Sequence, residues 1–272
     1  MDELIFKLKD VRFSYAGKYP ALGGIDLDIR KGEKVAIIGA NGSGKSTLLH
    51  VLDGLVFPDS GIVEVFGKKL DEEALADARY NLRFRKTVGL VFQNPDVQLF
   101  CPTVREEILF GPLHLGFDRS KAAAAYDSII GVFGIQGLVD RMPHQLSIGE
   151  KRKVAMASVL ITDPGVLLLD EPTAGLDPKT SRDLIDLLNR YHEDGKTIIT
   201  ATHDMHIVEE IADIVHVFSR DRKIIRSGLP SGLLSDTKFL QENNLIHIHA
   251  HAHDGSTHVH PHQHLRHNHS HA

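Results

Sequence analysis

Residues 35–47 read Val-Ala-Ile-Ile-Gly-Ala-Asn-Gly-Ser-Gly-Lys-Ser-Thr, a continuous apolar run followed at once by a glycine-rich loop. The apolar run predicts a buried strand over 35–38, and a helix is predicted over 45–52. Glycines at such a junction let backbone N–H groups converge on phosphate oxygens at the helix N-terminus. The alternative is a glycine-rich turn that contains Lys-Ser by chance and binds no phosphate. We expect phosphate contacts from Gly39, Asn41, Gly42, Ser43, Gly44, Lys45, Ser46 and Thr47, with Lys45 on the outer phosphates and Ser46 on Mg²⁺.

A second group of candidate site residues lies at 166–171, where an apolar strand ends in Asp170 and Glu171. Two carboxylates at the end of a buried strand are costly unless they face a cation. A Mg²⁺ ion bound together with ATP would be such a cation. We expect Asp170 to orient Mg²⁺ and Glu171 to polarise the attacking water, since phosphoryl transfer depends on positioning and charge neutralisation. A solvated acidic strand end is the alternative.

The segments around these motifs predict an α/β fold. Residues 4–15 and 25–29 alternate apolar and polar positions, as half-buried antiparallel strands do. Helical stretches are predicted over 45–52, 71–79, 120–133, 148–161, 178–192 and 205–212. Alternating strands and helices favour a mainly parallel central sheet, here with an antiparallel N-terminal β subdomain and a helical subdomain over about 95–161.

Composition narrows the class of protein. The 272 residues are 42% hydrophobic and 25% charged, with a formal net charge of −5. This is the make-up of a folded domain without the basic field that nucleic acid requires, so no nucleic-acid partner is expected. Cys101 is the single cysteine, which excludes an intrachain disulfide and suits a reducing compartment. No apolar run reaches the ~20 residues of a membrane helix, so a membrane role is expected to come through a partner.

Over residues 4–235 the chain resembles the ATPase subunit of ATP-binding cassette transporters. The motifs above carry the resemblance, together with a D-loop at 174–177 and a switch segment at 200–204. The resemblance implies a P-loop NTPase that hydrolyses ATP with Mg²⁺ to drive transport. It implies that Gln93 senses Mg²⁺ and the γ-phosphate, that His203 reaches the γ-phosphate, and that Tyr15 stacks on adenine.

Residues 146–150, Leu-Ser-Ile-Gly-Glu, occupy the place of the family's signature, which usually reads Leu-Ser-Gly-Gly-Gln. Ser147 and Glu150 also match a capping box, in which each side chain satisfies a backbone donor of the first turn. The resemblance implies that Ser147 and the Gly149 N–H bind the ATP of a second subunit. A carboxylate aimed at triphosphate would repel it, so we expect Glu150 to turn back to its own helix cap. A dimer is implied, either of two identical copies or with a different ATPase.

The segment 93–112 is similar to the region after the Q-loop in energy-coupling-factor transporters, especially those for cobalt or nickel. In that group it docks the membrane scaffold, and the apolar Val97, Leu99 and Phe100 suit such a contact. An internal packing strip of the subdomain is the alternative. Integral scaffold and substrate-binding subunits are the implied partners, which puts the chain at the cytoplasmic face of the cell membrane.

The C-terminal segment is rich in histidine. We predict an ATPase domain over 1–240 and a flexible, disordered tail over 241–272, which as a random coil would span roughly 30 Å. Neutral imidazole suits Ni²⁺ and Co²⁺, and also Cu²⁺ and Zn²⁺. A tag remnant or a solvated tail is the alternative. The candidate ligands recur at alternate positions: His247, His249, His251, His253, His258, His260, His262, His264, His267, His269 and His271.

Together these features predict the ATP-hydrolysing subunit of a cobalt or nickel importer, with the tail binding the metal on the cytoplasmic side. A vitamin importer of the same class would keep every motif of the body and make the tail incidental. A soluble cassette ATPase of DNA repair or translation is a further alternative, although the chain has no long coiled-coil insertion and no tandem cassette.

Overall fold

A computed structural model describes residues 3–253 and 256–262 of the chain. The central sheet is built from β3 at Lys34–Gly39, β6 at Val88–Val91, β7 at Val166–Asp170, β8 at Thr197–Thr202, β9 at Ile214–Phe218 and β10 at Ile224–Gly228. Its strand order is β10-β9-β3-β8-β7-β6, and all neighbours are parallel except β10 with β9. The carboxyl ends of β3, β7 and β8 therefore meet at one edge, which is where the phosphate loop and the two acids begin.

A second, antiparallel sheet covers one face of the first. It is built from β1 at Leu4–Tyr15, β2 at Tyr19–Arg30, β4 at Ser60–Val65 and β5 at Lys68–Lys69, in the order β2-β1-β4-β5. Alternate residues of β1, among them Phe6 and Leu8, are buried in a core that also contains Ile37 and Leu48. The N-terminal β subdomain predicted from alternation is present, and β2 is longer than the predicted 25–29.

The helices are α1 at Lys45–Leu52, α2 at Glu72–Ala76, α3 at Ala78–Thr87, α4 at Val104–His114, α5 at Arg119–Phe133, α6 at Ile148–Leu160, α7 at Pro178–Glu193, α8 at Met205–Ile211, α9 at Pro230–Leu234 and α10 at Thr237–Glu242. The single helix predicted over 71–79 is wrong. Asp71 caps α2 by accepting from the N–H of Ala74, and Asp77 caps α3 by accepting from Tyr80. Asp77 has an extended backbone, so the chain starts a new helix there.

The helical subdomain lies between β6 and β7 in the chain and contains α4, α5 and α6. Its core includes Val104, Ile108, Ile129 and Val154, and it continues into the main sheet through Leu169. Because α6 packs on both the subdomain and the central sheet, it joins the two parts of the domain. Within the described residues, none of the helices is long and apolar enough to cross a membrane.

The folded body extends past the predicted boundary between residues 240 and 241. That boundary falls inside α10, and Leu240, Leu245 and Ile246 are buried in a core formed with β9 and α8. The apolar side chains of Leu245 and Ile246 explain the difference, since they belong to the core and precede the first tail histidine.

Part of the C-terminal segment forms a hairpin. Residues His247–His253 form β11 and residues Ser256–His262 form β12, antiparallel strands in which His249 pairs with His260. Alternation of histidine with Ile, Ala and Val is a period-two pattern, which favours a strand. The flexibility of residues 241–272 stays a prediction.

Candidate functional site

The phosphate loop connects β3 to α1 and depends on two glycines. Gly44 has a φ of 108°, and a Cβ there would stand 2.3 Å from the carbonyl oxygen of Ala21. A Cβ on Gly39 would stand 2.7 Å from Ser43 Oγ. Both positions therefore need glycine, which leaves the backbone N–H groups at the start of α1 open to an anion.

Lys45 lies over this loop. Its Nζ donates to the carbonyl oxygens of Gly39, at 2.7 Å, and Ala40, at 3.3 Å. Burial lowers the pKa of Lys45, while the nearby carboxylates of Glu171 and Asp170 act in the opposite direction. The ammonium group thus faces the acids at the end of β7, as a group that bridges outer phosphates must.

Asp170 has the surroundings of a magnesium ligand. Its Oδ1 is buried without a hydrogen-bond partner among the described residues, and its carboxylate hydrogen-bonds the side chain of Ser46. Burial raises the pKa of Asp170 despite that bond, and the carboxylate of Glu171 raises it further. An unpartnered buried carboxylate oxygen beside a serine hydroxyl fits the hard oxygen ligands that Mg²⁺ takes.

Glu171 is held at every polar group. Its backbone has a φ of +48°, a conformation that residues other than glycine rarely adopt. Its N–H donates to Ala201 O at 2.8 Å. Its Oε2 accepts from Thr202 Oγ1 at 3.0 Å, and its Oε1 lies 2.7 Å from His203 Nδ1. The strained backbone and the two side-chain partners fix the carboxylate at the mouth of the site.

A cavity of about 740 Å³ joins several of the predicted residues. It is lined by the phosphate loop at Gly39 and Asn41, by Glu171 and His203, and by residues 173–176 of the D-loop. Asn244 and Leu245 line the same cavity, so the histidine-rich segment leaves the body beside it. Residues 42–47 and Asp170 are not in its lining, so the cavity is the space between the start of the phosphate loop, Glu171 and the D-loop.

Tyr15 and Gln93 lie outside the lining of that cavity. Tyr15 is 43% exposed, and its hydroxyl lies 3.2 Å from Thr47 Oγ1 at the start of α1. Its ring packs edge to face on Phe13, with ring centroids 4.9 Å apart, and its role with adenine stays a prediction. Gln93 is exposed just after β6, and its proposed contact with Mg²⁺ also stays a prediction.

Arg152 is a site residue that sequence reasoning missed. From the second turn of α6 it donates through Nη1 to Glu171 O at 2.9 Å and through Nη2 to Gln93 O at 3.0 Å. It follows the signature at 146–150 within one run of charged residues, Glu-Lys-Arg-Lys, which is typical of a solvated helix face. The sequence holds no signal that separates Arg152 from its charged neighbours Lys151 and Lys153.

The signature forms the start of α6 as a capping box. The Ser147 N–H donates to Glu150 Oε2 at 2.7 Å, and the Glu150 N–H donates to Ser147 Oγ at 3.3 Å. These bonds hold the pKa of Glu150 below its usual range. The expected return of Glu150 to its own cap is confirmed. Ser147 and Gly149 do not line the catalytic cavity of their own chain, which agrees with a role toward a second subunit.

The segment after Gln93 is held by two polar side chains, the partly buried Gln98 and the buried Glu107. Gln98 accepts from the Phe92 N–H and donates to Ala155 O at 2.8 Å, which ties the segment to α6. Glu107 accepts from the N–H groups of Phe100 and Cys101. The loop is thus a defined surface.

The apolar residues of this segment face two ways. Val97 and Phe100 are 66% and 67% exposed. Leu99 packs against the core of the helical subdomain. Leu99 is partly buried, and its part in a docking contact stays a prediction. Phe110 and Leu113 on α4 add to the exposed group.

The predicted tail ligands fall into two groups. His247, His249, His251, His253, His258, His260 and His262 lie on β11 and β12. His264, His267, His269 and His271 lie outside the described residues. Among residues 3–246, no group of three or more His, Cys, Asp or Glu side chains is arranged to hold a metal ion.

Comparison with known proteins identifies the family of this chain. The family model described as ABC transporter matches residues 22–174. The nickel import ATP-binding protein NikO of Rhodobacter capsulatus is 46% identical over 244 residues, covering 89% of this chain and 95% of the relative. The energy-coupling factor transporter ATP-binding protein EcfA of Methanocaldococcus jannaschii is 41% identical, covering 89% of this chain and 85% of the relative.

A solved structure shares the fold. It is cbiO1 from Clostridium perfringens, described as part of the ABC transporter complex cbiONQ. It matches with a TM-score of 0.73 and 36% identity, over 90% of this chain and 96% of that one.

Proposed function

Because the chain belongs to the ABC transporter ATPases, which hydrolyse ATP to drive transport, we propose that it powers the import of nickel or cobalt ions through membrane partner subunits. The observation that carries the cargo is a segment after the ATPase body in which histidines recur at alternate positions, such as 247, 249, 251 and 253. The nickel import relative supports the same cargo class.

The site divides the chemistry among its own residues. The phosphate loop and Lys45 bind and orient the phosphates, and Ser46 and Asp170 hold Mg²⁺, which neutralises charge on them. Glu171 accepts a proton from the attacking water, and His203 fixes one of its oxygens at 2.7 Å. The carboxylate is preorganised by Thr202 and by its backbone, so little rearrangement precedes the reaction.

The second ATP contact comes from another subunit in this proposal. Ser147 and Gly149 stand at the N-terminus of α6, away from the catalytic cavity of their own chain. A helix N-terminus suits a phosphate because its first N–H groups are free and its dipole is positive. Two copies of this chain would form two complete sites, although a different ATPase with the same signature would also serve.

The exposed apolar group formed by Val97, Phe100, Phe110 and Leu113, which we call the docking patch, is the proposed contact for a membrane scaffold. Phe100 and Phe110 stack edge to face with ring centroids 4.8 Å apart. An aromatic pair on a loop held by polar side chains offers a preformed apolar contact. This contact would put the chain at the cytoplasmic face of the cell membrane.

The docking patch is tested by Phe100→Asp in cells that express the membrane partners. We expect the variant to lose co-purification with them while the isolated protein hydrolyses ATP at the wild-type rate. Leu229→Asp is the matched control, since Leu229 is 68% exposed and lies far along the chain from the patch. Equal loss in both variants would contradict the proposal.

The tail is the proposed receiver of the metal. Imidazole nitrogen is a good ligand for Ni²⁺ and Co²⁺ and a poor one for Mg²⁺. In β11 and β12 the register pairs His247 with His262, His249 with His260 and His251 with His258.

The experiment is titration calorimetry with Ni²⁺, Co²⁺, Zn²⁺ and Mg²⁺ on the intact chain and on a chain that ends at Ile246. Ending there keeps Leu245 and Ile246 in the core. Tail-dependent binding of Ni²⁺ or Co²⁺ supports the metal importer. If the tail binds no transition ion, an energy-coupling importer of another cargo, such as a vitamin, becomes the better reading, as the relative EcfA favours.

A further inference from the structure

Arg152 occupies a junction that the roles above leave unexplained. It stands on α6, five residues after Ser147, and its guanidinium reaches the backbone of two other segments. One is the Gln93 carbonyl at the start of residues 93–112, which we call the docking segment. The other is the carbonyl of Glu171, the proposed catalytic base. Within the described residues, Arg152 is the side chain on α6 that hydrogen-bonds both of these segments.

The hydrogen bond from Arg152 to the Glu171 carbonyl stabilises an unusual backbone conformation. Glu171 has a φ of +48°, and its N–H is already fixed by Ala201. A non-glycine residue in this region persists only where its surroundings determine it, at a cost of about 1–3 kcal/mol. With Ala201 on the N–H and Arg152 on the carbonyl, both polar groups of the Glu171 backbone are held.

Charge and burial make this anchor strong. The guanidinium is partly buried and feels the carboxylates of Glu171 and Asp170. Its Nε is buried with no partner in the described part of the chain, so the two carbonyl bonds carry its hydrogen bonding. Hydrogen bonds from a charged donor are shorter and stronger than neutral ones, especially away from water.

We propose that Arg152 is a positioning residue that couples the signature helix and the docking segment to the hydrolytic Glu171. When α6 is in place, Arg152 fixes the Glu171 backbone and so aims the carboxylate. When α6 shifts relative to the sheet, the carbonyl of Glu171 loses its hydrogen-bond donor, and the carboxylate is no longer held in the orientation that hydrolysis requires. Since α6 begins at Ser147, the residue proposed to touch the ATP of a second subunit, Arg152 connects that contact to hydrolysis in its own chain. The last link rests on the proposed dimer.

The test is Arg152→Gln in the purified full chain, with Lys153→Gln as the matched control. Lys153 follows on the same helix, and its substitution removes the same charge without touching either carbonyl. We expect Arg152→Gln to lower kcat about tenfold or more while KM for ATP stays near wild type, because small misplacement of a reacting group costs up to about 100-fold. The control should keep kcat within twofold.

Two further readouts separate positioning from general damage. Arg152→Ala should regain part of its kcat with millimolar guanidinium, which can enter through the cavity of about 580 Å³ that Arg152 lines. Combining Arg152→Gln with Glu171→Gln should slow hydrolysis no further than Glu171→Gln alone, since Arg152 acts through Glu171.

Additive losses in the double variant, an unchanged kcat in a folded Arg152→Gln protein, or no rescue by guanidinium would each overturn the positioning role. These assays use the isolated ATPase and need neither the cargo nor the tail. A failure here is therefore distinct from a failure of the metal-import proposal.

Discussion

Glu171 shows at the scale of one residue how the fold prepares a carboxylate for catalysis. It is 4% exposed, yet its two oxygens are bound by neutral Thr202 and by the His203 ring. Burial of an acid is costly unless its oxygens are bound, and here the partners also determine its direction. Residues 171, 202 and 203 come from the ends of two neighbouring parallel strands, so the sheet register sets their distances.

Replacement of Glu171 by Gln tests its part in proton transfer. Gln has the same shape and can still bond Thr202, but it cannot accept the proton of water. We expect ATP hydrolysis to fall about 100-fold or more, the usual worth of a general base, while ATP binding is kept. A phosphate-release assay measures the rate of hydrolysis, and equilibrium nucleotide binding measures the affinity for ATP. A variant that loses both equally would instead place Glu171 in nucleotide binding.

Glu150 provides the opposite case, an acid whose role is in the helix cap. Glu150→Gln should retain the capping box and leave ATP affinity changed by less than tenfold, because Gln also accepts from the Ser147 N–H. Glu150→Ala should lower the free energy of unfolding by about 1 kcal/mol. Urea unfolding and ATP binding check the pair. A tenfold change of affinity in Glu150→Gln would mean that the side chain contacts nucleotide.

At the scale of an element, β9 contains a buried histidine unrelated to the tail. His216 is bonded to Ser227 Oγ of β10 at 2.7 Å, and burial lowers its pKa to about 4 from 6.5. The unfolded chain takes up a proton as the pH falls through 6.5, whereas the folded chain stays neutral until about pH 4. The stabilisation by neutral His216 is therefore present above pH 6.5 and is lost as the pH falls toward 4.

This linkage predicts a measurable difference between the wild type and His216→Gln. Between pH 7.5 and pH 4.5 the wild type should lose about 2.5 kcal/mol more unfolding free energy than the variant, whose Gln does not titrate. Urea unfolding at the two pH values measures both. The other titrating groups are shared, so they cancel in the comparison. Parallel losses in the two proteins would contradict the low pKa.

Most of the fold was predictable because the strongest signals are local. The apolar runs at β3 and β7 and the amphipathic period of α7 lie in the sequence itself. The phosphate-loop glycines and the acids after β7 were found for the same reason, since each group stands beside the strand that positions it. The break between α2 and α3 was missed because it depends on the extended backbone and the capping bond of Asp77.

Arg152 was missed for a related reason. Its partners are backbone carbonyls of Glu171 and Gln93, and a carbonyl leaves no mark in the sequence. The end of the body was also set too early, because Leu245 and Ile246 are only two apolar residues between polar ones. Their burial depends on the surface left open by β9 and α8, which no sequence window contains.

At the scale of the whole molecule, the two ends of the domain meet at the ATP site. The phosphate loop comes from residues 39–47 and the last body residues, Asn244 and Leu245, line the same cavity. The chain between them contributes the acids, the D-loop and His203. A change at the C-terminal end of the body should therefore reach catalysis, although no histidine of the tail is needed for the fold.

Two truncations separate the tail from the body. A chain that ends at Ile246 should unfold at the wild-type temperature and keep its ATPase rate, because every core residue remains. A chain that ends at Asn244 removes Leu245 and Ile246, which are 7% and 6% exposed. At about 1.5–3 kcal/mol for each buried side chain, it should lose about 3 kcal/mol or more of unfolding free energy. Its ATPase rate should fall too, since Leu245 walls the cavity. Calorimetric unfolding and phosphate release test both chains, and equal behaviour of the two would show that residues 245–246 belong with the tail.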